Sequence, residues 1–354
     1  VFRHAVNSKL HRFNPQDLAN TIWAYAKLQA SPGEDLLREM AAEAVLQADG
    51  FTPQNLANTL WAFATLRHPL GPAVLDHLSQ AAVAKLEGCN TQNLANMLWA
   101  YATMGYQPQR KVLSAFAAEV LHQMELFPPQ GLANTAWAFA KLKYSPAPEV
   151  LEALAEASQR QMGRFNPQGL ANLMWAYATL GHSPGEEMMD LWIAEVTAQL
   201  RRFSPQNLAN VVWACATLQY PPPPAALRAL ADEMRRQLPA FDPQGLANTV
   251  WGYATLEFDP GEEVLAAVAA EAVRKLSDFT PQNLSNTVWA YQVLGYEPSP
   301  EVLEVLEELE NTGTQSGWIE EASSESATKQ STGLRSMMMA LQQEEHMPFN
   351  RSGG

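Results

Sequence analysis

Phe13-Asn14-Pro15-Gln16-Asp17-Leu18-Ala19-Asn20-Thr21-Ile22-Trp23-Ala24-Tyr25-Ala26-Lys27-Leu28 is the first of eight closely similar stretches in a chain of 354 residues. The tryptophan of each copy fixes the register: Trp23, Trp61, Trp99, Trp137, Trp175, Trp213, Trp251 and Trp289, each 38 residues after the one before. No insertion or deletion interrupts the series. A constant period of this size marks stacked repeats, in which each unit buries its apolar face only against its neighbours.

Working outward from the tryptophan, each repeat divides into two helical patterns. The first opens on a capping residue followed by proline, as in Asn14-Pro15, Thr52-Pro53, Asn166-Pro167, Ser204-Pro205, Asp242-Pro243 and Thr280-Pro281. That pair places a side-chain acceptor at the N-cap and a residue without an N–H at the first helical position. Asn90-Thr91 lacks the proline and Pro128-Pro129 lacks the cap. A turn with an aromatic or histidine and a proline follows, and a second helix begins near Gly33-Glu34. The expected fold is all-α: an α-solenoid of eight 38-residue helix-turn-helix repeats plus a partial N-terminal repeat. Residues 1–12 read as the end of a second helix, 13–310 as the solenoid, and 311–354 as a disordered tail rich in Ser, Thr, Gly and Gln. Because Val1 aligns inside a repeat, any targeting segment is expected upstream.

Composition narrows the function classes. Hydrophobic residues make up 47% of the chain, enough for folding, and the net charge of -14 disfavours binding nucleic acid by charge alone. The two cysteines, Cys89 and Cys215, stand at different repeat positions and form no CxxC zinc pattern, so a reducing compartment and no metal centre are expected. No apolar run approaches the length of a membrane span. The histidines are scattered, and no Ser/His/Asp, metal-ligand or phosphate-loop arrangement recurs. A binding protein without cofactor or small-molecule substrate is expected, rather than an enzyme.

At about 100° per residue, Leu18, Ala19, Ile22, Trp23, Tyr25 and Ala26 read as a continuous apolar arc, with the tryptophan series packing the core. The other arc carries little charge. Glutamine recurs at Gln16, Gln54, Gln92, Gln130, Gln168, Gln206, Gln244 and Gln282, and asparagine four residues later at Asn20, Asn58, Asn96, Asn134, Asn172, Asn210, Asn248 and Asn286. Residues four apart share a helix face, so stacking would make an amide ladder. Such a ladder either satisfies itself between repeats or offers donors and acceptors to a ligand. Beside it one position varies as Asp17, Asn55, Asn93, Gly131, Gly169, Asn207, Gly245 and Asn283, and another as Thr21, Thr59, Met97, Thr135, Leu173, Val211, Thr249 and Thr287. A constant frame with variable short side chains suits a reader of single-stranded RNA, one unit per repeat; drift at an exposed position would look the same.

Charge is sorted along the second helix, with acids in its first turn and bases in its last, as the helix dipole favours. The bases Arg160, Arg164, Arg201, Arg202, Arg235, Arg236, Arg274 and Lys275 all precede the start of a first helix closely. They are expected to form a basic ridge beside helix N-termini, with phosphate contacts as its use.

The Pro-Gln-x-Leu-Ala-Asn-x-x-Trp-Ala segment and the Pro-rich lead-in to the second helix, such as Pro221 to Pro224, resemble the octotricopeptide repeat over about residues 1 to 310. The repeats are similar also to those of FAST kinase-like proteins and of mitochondrial RNA-editing substrate-binding complexes. The resemblance implies binding of single-stranded RNA in the mitochondrial matrix or chloroplast stroma, alongside other RNA-processing proteins, in transcript stability, processing or translation. A protein-binding scaffold of the same fold is the alternative. No basic C-terminal domain of the kind some of these families carry follows the array.

Overall fold

The computed structural model describes residues 9–297 together with Val6. Among them are fifteen α-helices and no strand. The first helices of the eight repeats are α1 (Pro15–Lys27), α3 (Pro53–Thr65), α5 (Thr91–Thr103), α7 (Pro129–Lys141), α9 (Pro167–Leu180), α11 (Pro205–Thr217), α13 (Pro243–Thr255) and α15 (Pro281–Leu294). The second helices are α2 (Glu34–Leu46), α4 (Pro72–Val83), α6 (Arg110–His122), α8 (Pro148–Gln159), α10 (Glu186–Gln199), α12 (Pro224–Gln237) and α14 (Glu262–Arg274). The eighth second helix expected after Pro298 and the expected tail lie outside the described residues.

Two compact units divide the chain, Val1–Glu195 and Val196–Gly354, with the division falling inside α10. The sequence shows a single uninterrupted period there. Because stacked repeats are held only by nearest neighbours, a constant period does not fix where compact units part. Each unit is a stack of helix-turn-helix repeats, the arrangement of an α-solenoid. In the first unit α1, α3, α5, α7 and α9 lie side by side in order, each packed extensively on the next; in the second, α11, α13 and α15 do the same. Second helices meet their neighbours far more sparsely.

The first helices approach closely because their flanks are lined with small residues. Ala62, Ala100, Ala138, Ala176 and Ala214 are fully buried on one flank, and Ala19, Ala57, Ala133, Ala171 and Ala247 on the other. At Gly252, which takes the alanine's place in α13, an added Cβ would stand 2.6 Å from Val212 Cγ1 of α11.

Helix ends are fixed by local chemistry that repeats with the period. In α1, α3, α5 and α11 the N-cap accepts from the third residue's N–H while that residue's side chain accepts from the N-cap N–H, a capping box. Asn90 caps α5 without a following proline, whereas Pro128 gives α7 no side-chain cap. At the other end the chain turns left-handed at Gln29, Arg67, Gly105, Lys143, Gly181, Gln219, Glu257 and Gly295. The bonds Lys143 N–H to Ala140 O (3.0 Å) and Tyr144 N–H to Phe139 O (2.9 Å) make this a Schellman motif. Its hydrophobic contact is a ring pair: Phe63–His68, Tyr101–Tyr106, Phe139–Tyr144, Tyr177–His182, Tyr253–Phe258 and Tyr291–Tyr296 have centroids 5.3 to 5.9 Å apart. This is the aromatic of the turn that the sequence repeats.

Hydrogen bonds also latch the two helices of a repeat together. Gln47, Gln123, Gln161 and Gln237, at the ends of second helices, donate Nε2–H to the carbonyls of Phe13, Cys89, Phe127 and Phe203 at 2.7 to 2.9 Å. Each of those carbonyls stands just before the N-cap of the same repeat's first helix, so α2, α6, α8 and α12 close on the lead-in of the preceding segment 34 residues back. Tyr177 and Tyr291 tie neighbouring repeats instead, donating to Leu151 O and Leu265 O of the preceding second helix at 2.5 and 3.1 Å.

The tryptophan series departs from the expectation of a core residue. Trp23 is 38% exposed, and Trp61, Trp99, Trp137, Trp175, Trp213, Trp251 and Trp289 are all half-buried. The reason is angular. At about 100° per residue, Trp23 lies beside Gln16 and Asn20, not beside Leu18 and Tyr25. The fully buried tryptophan is Trp192 of α10, edge-on to Tyr177 with ring centroids 5.2 Å apart.

Two outcomes check this packing. Trp192→Ala should cost about 3–5 kcal/mol, and Trp137→Ala less than half of that, because only a buried ring leaves a full cavity; equal losses on chemical denaturation would return the series to the core. Lys143→Gly should stabilise by roughly 1 kcal/mol, since only glycine adopts the left-handed region without strain. An unchanged or lower denaturation midpoint would rule out strain at that position.

Candidate nucleic-acid interface

Within each unit, α3, α5, α7 and α13 have first-helix neighbours on two flanks and a second helix beneath them. What remains for solvent is a narrow stripe, within about 60° around the helix: Gln54, Asn58, Trp61 and Thr65 in α3. The fourth place of the stripe is Lys27, Thr65, Thr103, Lys141, Thr179, Thr217, Thr255 and Val293 in successive repeats. The glutamine is exposed in every copy, and the asparagine is exposed in α1 and half-buried in the others. Gln282 Nε2–H donates to Asn286 Oδ1 at 2.8 Å. The side chains of Gln16, Gln54, Gln92, Gln130, Gln168, Gln206 and Gln244 make no hydrogen bond among the described residues, nor do those of Asn20, Asn58, Asn96, Asn134, Asn172, Asn210 and Asn248. The ladder therefore does not satisfy itself. It lies open, with an indole in each stripe, and this is the chemical vocabulary of a surface for planar, hydrogen-bonding ligands.

The variable positions are a correction. Asn55, Asn93, Asn207, Gly131 and Gly245 are buried and Gly169 and Asn283 half-buried, while Asp17 is exposed. All stand at the third residue of a first helix, where in every copy but Gly131 the backbone N–H donates to the N-cap side chain. Asn55, Asn93 and Asn207 also return their Oδ1 to the N-cap N–H at 3.1 to 3.2 Å, as Asp17 does through Oδ2 at 3.2 Å. Gly169 and Gly245 donate their N–H to Asn166 and Asp242 Oδ1 at 2.7 Å. A Cβ on Gly245 would sit 2.9 Å from that same Asp242 oxygen and 3.7 Å from Ala209 of α11. The variation from Asp to Asn to Gly thus follows cap geometry and helix contact, and these residues are not displayed for reading a base. The second variable set is internal as well: Thr59, Met97, Thr135, Leu173, Val211 and Thr249 are fully buried.

The expected basic ridge is also corrected. Arg160 pairs with Glu125 at 2.5 Å, Arg235 with Glu263, and Arg236 with Glu233 through both carboxylate oxygens. Arg201 lies 3.7 Å from Glu233, and Arg274 and Lys275 reach Glu271 at 3.0 and 2.8 Å. Lys275 further donates to Pro239 O at 2.8 Å and Phe241 O at 2.5 Å. Only Arg164 and Arg202 hold neutral partners, Gln161 and Gln199, at 3.0 and 2.9 Å. The capping boxes and the N1 prolines meanwhile consume N–H groups that a phosphate would use. Acids on the same edge, Glu233 and Glu271 above all, cancel the bases where sequence reading saw only the bases.

The thiols carry no reactive chemistry here. Burial pushes Cys89 up to about 11, with the nearby Glu119 charge adding to it, and raises Cys215 as well. Both stay protonated near neutral pH. Among the described residues no group of three His, Cys, Asp or Glu is placed to hold a metal ion, and no helix is long and apolar enough to cross a membrane.

The fold and this surface define a class: a helical-repeat protein that presents the same amide-and-indole stripe from repeat after repeat within each unit. The family described as Tbc2 translation factor, N-terminal domain, matches residues 2–70, 68–144, 138–240 and 195–312, and the chain belongs to that family. The overlapping matches are those of a periodic sequence that aligns in several registers. The octotricopeptide resemblance is not confirmed by this match. No curated protein matches the chain.

The neutralised edge has a testable signature. Hydrogen bonds from Arg236 hold the nearly buried Glu233 carboxyl below its ordinary range. A depressed folded-state value contributes stability above the unfolded value, about 4.3 for glutamate, that is lost as pH falls through the folded one. Glu233→Gln should therefore melt below the parent at pH 7, and the gap should close in acid. A gap that stays constant from pH 7 to pH 3 would show that folding does not lower the Glu233 carboxyl.

Proposed function

We propose that this protein binds single-stranded RNA along the stripes of its first helices and acts without catalysis, in organellar translation or transcript processing. The observation that carries the reading is the coincidence, in the first seven of the eight repeats, of glutamine and asparagine amides that make no side-chain hydrogen bond among the described residues with an indole on the same helix face. Amides hydrogen-bond base edges, and indoles stack bases of any sequence. The family's description as a translation factor domain supports the translation role. Residence in the mitochondrial matrix or chloroplast stroma, with other RNA-processing proteins as companions, belongs to the same proposal. Because most edge cations are committed to acids, phosphate contacts are few and stacking supplies most of the affinity.

Replacing both Trp99 and Trp137 by Ala should weaken binding of a fluorescent single-stranded RNA by about 1–3 kcal/mol per lost stack, with far-UV circular dichroism unchanged. Salt dependence should be shallow, the slope being roughly 0.7 per phosphate contact. The net charge of -14 favours a second reading, a scaffold for a partner protein. Folded parent that binds no single-stranded RNA even at low salt would put that reading in its place.

A further inference from the structure

The fourth position of the stripe is the one place on this face where repeats differ in chemistry, and at one copy the structure shows what the difference does. Lys27 Nζ lies 5.6 Å from the centroid of Trp23 and 5.0 Å from that of Trp61. One ammonium thus stands over the indoles of two successive first helices, α1 and α3. A cation over an aromatic face is held by the ring quadrupole, and it occupies the face on which a base would stack. The next two repeats have Thr65 and Thr103 in that place. A threonine side chain is too short to reach across to the neighbouring ring, so the faces of Trp99 and Trp137 carry no such cover. Lys141 has the same residue type as Lys27 and is exposed, yet it makes no ring contact among the described residues.

We propose that the residue closing each stripe sets whether its repeat stacks a base, and that Lys27 closes the Trp23–Trp61 position against stacking by covering both rings with its own ammonium. The proposal rests on the RNA reading above and adds a specificity determinant to it. A repeat ending in threonine presents open indoles; the one ending in Lys27 presents a cation. Bases are then stacked by a subset of the repeats, and the number of nucleotides engaged is smaller than the number of repeats.

The pair Lys27→Thr and Lys141→Thr separates coverage from charge, since both variants lose one positive charge from the same stripe position and only the first uncovers rings. Both sites are exposed, so both variants should fold. The probe is a fluorescent oligouridylate, titrated at fixed salt. Lys27→Thr is expected to tighten binding by at least about fivefold, the equivalent of one stacking contact of ~1 kcal/mol. It should also deepen the quenching of tryptophan fluorescence at saturation. Lys141→Thr is expected to weaken binding, with the salt slope falling by at most about 0.7. If the parent binds RNA and both variants weaken it alike, the covering role of Lys27 is overturned while the RNA reading stands. If the parent binds no RNA, the RNA reading fails and this proposal with it.

Discussion

The structure depends on how closely one first helix can lie beside the next. Small residues on both flanks of the first helices, alanine in most copies, remove the side-chain bulk that would hold the helices apart, and at Gly252 even a Cβ has no room. From this constraint the rest follows. Two flanks and the underside of the inner first helices of each unit are consumed by packing, so only a stripe one side chain wide is left for solvent. The stripe holds glutamine, asparagine and tryptophan because those are the residues whose angular positions fall between the two flanks.

A surface made this way is regular for a structural reason. The capping boxes and the Schellman turns fix both ends of the first helices, and the glutamine latches fix α2, α6, α8 and α12 against the lead-in of their own repeat. Repetition of the amide pair within each unit then follows from repetition of the frame. The charged edge serves this frame as well. Glu233 and Glu271 are buried beside the arginines and the lysine that pair with them, so the bases at the ends of second helices tie those ends down. That leaves the amides of the stripe, whose only charges are Lys27 and Lys141, as a surface with hydrogen-bonding capacity.

Such a face suits ligands recognised by stacking and amide hydrogen bonds better than ligands held by charge. It reconciles a net charge of -14 with membership of a family described as a translation factor domain. The residue that closes the stripe, lysine in two described copies, threonine in five and valine in one, is where repeats on the same frame acquire different properties.

The sequence by itself determined the period, the two helices per repeat, the capped and proline-led start of the first helix, and the amide pair four residues apart. These are local: they follow from hydrogen bonds and backbone angles within a few residues of each other, which is why reading them needed no neighbour. Tertiary structure decided which side of each first helix stayed open. Read alone, α1 shows one apolar arc with Trp23 inside it, and Asp17 and Thr21 beside the amides. Stacked between two neighbours, a helix such as α3 has two buried flanks, so Thr59 and Ala62, the equivalents of Thr21 and Ala24, go inside and the tryptophan comes out to the edge. The same holds for the bases. Their attachment to a helix end was legible, but their neutralisation by Glu125, Glu233, Glu263 and Glu271 was not, because most of these acids come from other repeats or from an earlier turn of the same helix. A period fixes what each repeat contains; only the contact between repeats fixes which of its residues meet solvent.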